Sequence, residues 1–222
     1  MPYPELLTQL ESAQDVKYRD FHKRLLKNEN IKLIGVRVPV LRKIAKDYLN
    51  RIDELMSYPD EYYEVTFVKL TAVSYLKYEA FIKYVDECVR LIDNWATCDC
   101  FCAKCIAKNR QAFLPYIAKF SDADKEFYQR FALVTLLHYY VEEDYAELIF
   151  DTVLKCNTNY FYVHMAAAWL VAEMLVKCYG TALKFLKLNL LDRATHNKSI
   201  QKACESYRLS DEIKNFLKGL KR

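Results

Sequence analysis

The sequence predicts an all-α protein, on two observations. Apolar residues recur at helical spacing over most of its length, and Gly and Pro, three and five in 222 residues, are too few for the turns of a sheet protein. Phe81, Tyr84, Val85, Cys88, Val89 and Ile92 trace one buried face at spacings of three and four. Phe131, Val134, Thr135 and His138 trace another, and Leu133, Leu136 and Leu137 widen it until that helix is apolar on most sides and must pack between neighbours. Ala146, Ile149, Phe150, Val153 and Leu154 form a third stripe.

In chain order, helix starts are read at Pro39, at Pro59 with Asp60, at Asn94, at Ser121 with Asp122, at Asn157 to Asn159, at Asp192 and at Ser210. Gly35 and Gly180 suit loop or helix-end positions. These marks predict about a dozen helices, mostly of roughly 10 to 18 residues, with short links. No linker or low-complexity stretch divides residues 1–222, so one domain is expected. Sequential pairs with short links predict a right-handed superhelical solenoid of HEAT-like antiparallel helix pairs. Repeats near 40 residues of that loose kind tolerate the absence of a fixed consensus. An irregular helical bundle is the alternative.

Composition narrows the setting. Hydrophobic residues make up 53% and charged residues 28%, which is ordinary for a folded domain and excludes disorder. The N-terminus MPYPELLTQLESAQD lacks the basic start and apolar run of a secretory signal, and no stretch is long and apolar enough to span a membrane. Eight cysteines without an export signal read as reduced thiols, and a cytoplasmic location is expected. The net charge of +4 permits nucleic-acid binding without demanding it.

Four residues stand out. Trp95 and Asp99 are four apart and share a helix face, placing a carboxylate beside an indole. The plain alternative is a core Trp and a first-turn acid favoured by the helix dipole. Arg130 sits in an apolar helix, where its plain role is an exposed pair with Glu126. Trp169 follows Ala166, Ala167 and Ala168, small residues that let another backbone or a ligand approach; its plain role is core packing. In a two-helix array, residues one repeat apart look out from the same side, so Trp95, Asp99, Arg130, Trp169 and Lys198 are expected along one concave surface. Arg37, Arg42, Lys43, Lys69, Arg130, Lys198 and Lys202 are expected there as DNA ligands, cations for phosphates beside indoles for sugars or bases. Cys98, Cys102 and Cys105 have the C-x3-C-x2-C spacing of an iron–sulfur motif, but on a helix the thiols pack as small apolar residues. His22, His138, His164 and His196 form no zinc pattern, so no metal or cofactor is expected.

At these residues the chain resembles the AlkD family of DNA alkylation repair enzymes. The resemblance rests on Gly35-Val36-Arg37-Val38-Pro39 with Leu41-Arg42, on Trp95-x-Thr97-x-Asp99, on Gln129-Arg130-x-Ala132, and on Ala168-Trp169 with Glu173. Their order and separations span nearly the whole chain. It implies that Trp95, Asp99, Arg130 and Trp169 form a lesion-facing cleft. One departure is Ala172, where the family often has an Arg. The resemblance implies a metal-independent glycosylase that releases positively charged N3- or N7-alkylated purines from double-stranded DNA, with Asp99, Trp95 and Trp169 catalytic. It also implies that the base need not enter a pocket. A monomer with no obligatory protein partner is expected. Two alternatives stay open: a non-catalytic HEAT-repeat protein that binds branched or damaged DNA, and a protein–protein scaffold.

Overall fold

The computed structural model describes residues 2–26 and 30–222. Among the described residues there are helices and no strands. The first stretch contains α1 (Tyr3–Ser12), α2 (Val16–Leu26), α3 (Val38–Asp47), α4 (Ile52–Met56), α5 (Tyr63–Ser74), α6 (Tyr78–Leu91) and α7 (Trp95–Cys100). After a 3-10 turn at Lys104–Lys108 come α8 (Arg110–Asp122), α9 (Glu126–Tyr139), α10 (Ala146–Lys155), α11 (Phe161–Lys177), α12 (Tyr179–Lys187), α13 (Arg193–Glu205) and α14 (Asp211–Lys218). Packing divides them into two compact units, Met1–Lys108 and Asn109–Arg222. No helix among the described residues is long and apolar enough to cross a membrane.

In the first unit α5 is central, packing against α3, α4, α6 and α7. All twelve of its residues are buried, including Glu64 and Lys69, and each charge is met by hydrogen bonds. Glu64 Oε2 accepts the Ile34 N–H at 3.0 Å, while Oε1 accepts those of Gly35 at 2.7 Å and Val36 at 3.3 Å. Those amides have no helical partner, so a side chain 28 to 30 residues away satisfies the loop that launches α3. Gly35 has φ +100°, and Pro39 falls in the first turn of α3, where its missing N–H costs nothing.

The second unit is layered. α9, α11 and α13 pack side by side, and α10 contacts α8 and α12 behind them. Ala166, Ala167, Ala168 and Ala172 are all buried, which lets α11 lie close to both α9 and α13. α9 is buried continuously from Gln129 to Leu137, as an apolar helix between neighbours must be.

Three expected starts are caps in the structure. Asn94 Oδ1 accepts from Thr97 N at 3.0 Å, Asp192 Oδ1 from Thr195 N at 2.9 Å, and Ser210 Oγ from Ile213 N at 3.3 Å. Ser121 and Asp122 instead end α8: the Ser121 hydroxyl donates back to the Ala118 carbonyl. Asn157 forms a side-chain turn onto Asn159 N, so α11 begins only at Phe161. Asp60 is not a cap but a partner of Lys69, and α5 starts at Tyr63. Gly180 lies in the first turn of α12. The α9 stripe stops short of His138, and the α10 stripe short of Leu154; both are exposed.

His22 is 5% exposed, and its ring meets the Tyr63 ring edge-on at 4.9 Å. Burial holds His22 and His164 below the ordinary imidazole value of 6.5. Each native ring therefore binds a proton less readily than the unfolded chain does. Their contribution is fully present above pH 6.5 and is lost as pH falls through the lower native values. Urea midpoints are expected to decline between about pH 7 and about pH 5, with a shallower decline in His22→Leu. A flat profile over that window would remove the imidazoles from the account.

Candidate functional site

In the first unit, the Asn94 cap fixes the short α7, and with it Trp95 and Asp99 on one face. Trp95 is half-buried, its indole N–H directed at the Leu25 carbonyl at 3.4 Å. Asp99 is also half-buried, and its main-chain carbonyl accepts the Cys102 thiol at 3.0 Å. The Arg42 guanidinium lies near the next side chain, the Cys100 thiol. Burial nonetheless raises the Cys100 thiol above its usual value, and Arg42 only partly opposes that. Burial, with added repulsion from Cys100 and Asp99, pushes Cys102 up to about 12. Arg42 thus reaches the Asp99–Cys102 segment from α3, and the structure brings these two sequence-selected residues into one electrostatic neighbourhood.

Further α3-side cations are Arg37 and Lys43, both exposed. Arg37 donates from Nε at 3.0 Å and from Nη2 at 2.8 Å to Asp15 Oδ2 and lies over the Tyr18 ring at 5.2 Å. Tyr18, His22 and Tyr63 form an aromatic wall beneath this region. Sequence reasoning missed these three, since nothing local marks a Tyr on α2 as a neighbour of one on α5.

Lys69 requires a correction. It is 1% exposed, and its ammonium donates to the carbonyls of Met56 and Tyr58 and pairs with Asp60 at 3.0 Å. It stitches the α4–α5 connection together and is not available to a phosphate.

Cys98, Cys102 and Cys105 are corrected in placement. α7 stops at Cys100, so of the three only Cys98, which is buried, lies in it; Cys102 follows its end and Cys105 sits in the 3-10 turn Lys104–Lys108. Among the described residues no group of three His, Cys, Asp or Glu side chains is placed to hold a metal ion.

In the second unit, Arg130 is neither an exposed partner of Glu126 nor an open phosphate ligand. It is 5% exposed. Its Nη1 donates to the Tyr162 carbonyl at 2.8 Å, and the guanidinium lies 5.8 Å from the Tyr162 ring centre. One turn away, Glu126 Oε1 accepts the Tyr162 N–H at 2.8 Å, and Gln129 Oε1 accepts the Asn157 N–H at 2.8 Å. Glu126, Gln129 and Arg130 together hold the start of α11, whose first N–H groups lack helical partners. Tyr162 and Trp169 are seven apart on one side of that helix, so Arg130 sets the helix that carries Trp169. Arg130→Ala is expected to cost about 1–3 kcal/mol in urea unfolding, by removing a buried charge-assisted donor, with little change in the salt slope of duplex binding. A slope lowered by about one at unchanged stability would restore it as a phosphate ligand.

Trp169 is 38% exposed, far from the burial of a core indole. One turn later on the same face, Glu173 takes a bidentate pair from Arg208, at 2.8 and 2.6 Å. That pairing holds the Glu173 carboxyl below its usual range. On α13, Lys198 and Lys202 are half-buried and one turn apart. Lys198 Nζ donates to Gln201 Oε1 at 3.2 Å, and Lys202 pairs with Glu205 at 2.9 Å. Burial is the main reason that His164 titrates low, with Lys198 adding to it, which puts this lysine in the field of an α11 side chain.

Each unit therefore presents an accessible indole with charged groups about it: Trp95, Asp99 and Arg42 in one, Trp169, Glu173 and Arg208 in the other. Among known families, the model described as DNA alkylation repair enzyme matches residues 6–206 of the chain. No curated protein matches the chain.

Proposed function

The chain belongs to the DNA alkylation repair enzyme family, and on that premise we propose that it is a DNA glycosylase acting on duplex DNA at positively charged N3- and N7-alkylated purines. The observation that carries this reading is the α7 arrangement, a capped helix that holds Asp99 and Trp95 on one face beside Arg42. Alkylation at N3 or N7 puts a positive charge on the purine. When the bond from the sugar C1′ to the base breaks, its electron pair neutralises that charge and leaves an oxocarbenium-like sugar. The Asp99 carboxylate opposes the sugar's positive charge and accepts a proton from the water that adds at C1′. Trp95, on the helix face of Asp99, offers its π face to that developing charge, and Trp169 is assigned as a further catalytic indole. This chemistry needs no metal or nucleotide from the protein.

Duplex binding is assigned to exposed or half-exposed cations: Arg37, Arg42 and Lys43 from the first unit, and Lys198 and Lys202 from the second. Arg37 is preorganised by Asp15, and a preorganised guanidinium suits phosphate oxygens. Lys69 is excluded from this set by its burial, and Arg130 enters as a positioning residue. Within the second unit, the layered α8–α13 packing supports HEAT-like pairing. The reading places the protein on DNA as a monomer and locates it in the cytoplasm.

The test is release of 7-methylguanine from methylated duplex, followed by chromatography of the freed base. Release in proportion to enzyme supports the glycosylase. Tight, salt-sensitive binding of the duplex with no base released would replace it with a non-catalytic DNA-binding protein. Absence of both would leave the scaffold reading.

A further inference from the structure

The turn between α13 and α14 is built from both ends. The Ser206 hydroxyl accepts from Arg208 N at 3.2 Å, Leu209 is buried, and Ser210 caps α14. Tyr207 stands outside this frame at 93% exposure, so its ring contributes almost nothing to folding. Arg208 does the opposite and lies back along α11. Its two terminal nitrogens engage the two Glu173 oxygens, and its Nε approaches Ser206 Oγ at 3.4 Å. A guanidinium has five N–H groups, and these contacts occupy three. Lys177 adds a second cation to Glu173 at 3.6 Å, so the cluster keeps a net positive charge.

A surface ion pair of this kind adds little to stability. Its position is more informative. Glu173 is one helical turn from the exposed Trp169, with Cβ atoms about 6 Å apart on the same face, and its carboxylate holds Arg208. The family match ends at residue 206, so Tyr207 and Arg208 lie beyond it.

The geometry points to the Tyr207–Arg208 turn as an additional nucleic-acid contact: Arg208, oriented by Glu173, holds a backbone phosphate flanking the damaged nucleotide, and Tyr207 packs against the adjoining sugar. The inference rests on the proposed duplex-binding function and deepens it. A guanidinium whose plane is already fixed loses less freedom on meeting a phosphate, and an N–H group that Glu173 and Ser206 leave over can donate to one phosphate oxygen. The outward Tyr adds a flat face against which the sugar of any nucleotide can pack.

The test measures fluorescence anisotropy of a labelled, unmodified duplex with the full chain across a salt series. Arg208→Gln is expected to weaken binding several-fold and to lower the log–log salt slope by about one, as for one lost phosphate contact. Tyr207→Ala is expected to weaken binding by about twofold or more with the slope unchanged, since packing on a sugar carries no counterion release. At its exposure Tyr207→Ala does not disturb the fold, so it remains informative where Arg208→Gln lowers the thermal midpoint. Wild-type protein that binds duplex, with both variants matching its affinity and slope, overturns this inference and leaves the proposed function standing. Wild-type protein that does not bind duplex at all overturns the functional reading itself.

Discussion

Asp99→Asn is expected to slow excision of 7-methylguanine by about 100-fold or more, the loss seen when one preorganised electrostatic partner of a developing charge is removed. A 100-fold loss is about 2.7 kcal/mol in the barrier. The substitution keeps the side-chain shape, so α7 and its Asn94 cap are retained and the thermal midpoint holds. Binding of plain duplex is expected to hold or tighten, because Arg42, which shares this neighbourhood, faces the phosphates with one fewer acid beside it. Trp169→Ala is the companion measurement. A core Trp truncated to Ala costs about 3–5 kcal/mol, but an indole 38% exposed loses much less, so its effect falls mainly on excision. Single-turnover excision, plain-duplex affinity and thermal midpoint, taken together on these two variants, separate chemistry from folding. An Asp99→Asn protein that releases the base at the wild-type rate sinks the catalytic assignment and leaves duplex binding in place.

What the sequence disclosed about this site depended on how local the physics was. The caps at Asn94, Asp192 and Ser210 were readable because each bond spans three residues and needs no tertiary partner. The apolar stripes of α6 and α10 were readable because burial of one face imposes a period. Long-range placement of charge was not. Lys69 and Arg130 look like surface cations in sequence, yet both are buried. Their partners, Met56 with Tyr58 and Tyr162, lie 11 to 32 residues away. No periodicity distinguishes a Lys that satisfies two loop carbonyls from one that meets solvent. Arg37 and Arg42 are exposed, while the acid that orients Arg37, Asp15, sits 22 residues upstream and carries no sequence signal. The thiols of Cys102 and Cys105 were misplaced for a different reason: α7 is only six residues long, and helical spacing was extended past its end.

The largest effect on stability is expected at Gly35, which the sequence marked as a loop or helix-end glycine opening the Gly35–Pro39 motif. Its φ of +100° is a conformation that an L side chain adopts with strain. A Cβ there would stand 2.5 Å from Arg19 Cβ and 2.8 Å from the Asp15 carbonyl oxygen, and neither can yield cheaply. Asp15 N donates to the Gly35 carbonyl at 2.8 Å, and the Asp15 carbonyl receives Arg19 N at 2.9 Å as the first hydrogen bond of α2. On the other side the Gly35 N–H is held by buried Glu64 at 2.7 Å. Relief therefore means either lifting α2, with Tyr18 and His22, off the first unit or breaking a buried carboxylate's contacts. Gly35→Ala is expected to cost about 3 kcal/mol or more, in the range reserved for strain combined with steric overlap. Because α3 begins three residues later, duplex binding through Arg37 and Arg42 is expected to weaken at temperatures where the variant is still folded. Gly180→Ala is the internal control. A Cβ at Gly180 meets nothing within 4 Å, and the residue lies in a helix, so Ala is expected to leave stability unchanged or raise it by up to about 1 kcal/mol. Urea unfolding of the two variants side by side decides the matter. Equal midpoints would show that the Gly35 loop tolerates a side chain and that α2 is not held where these contacts place it.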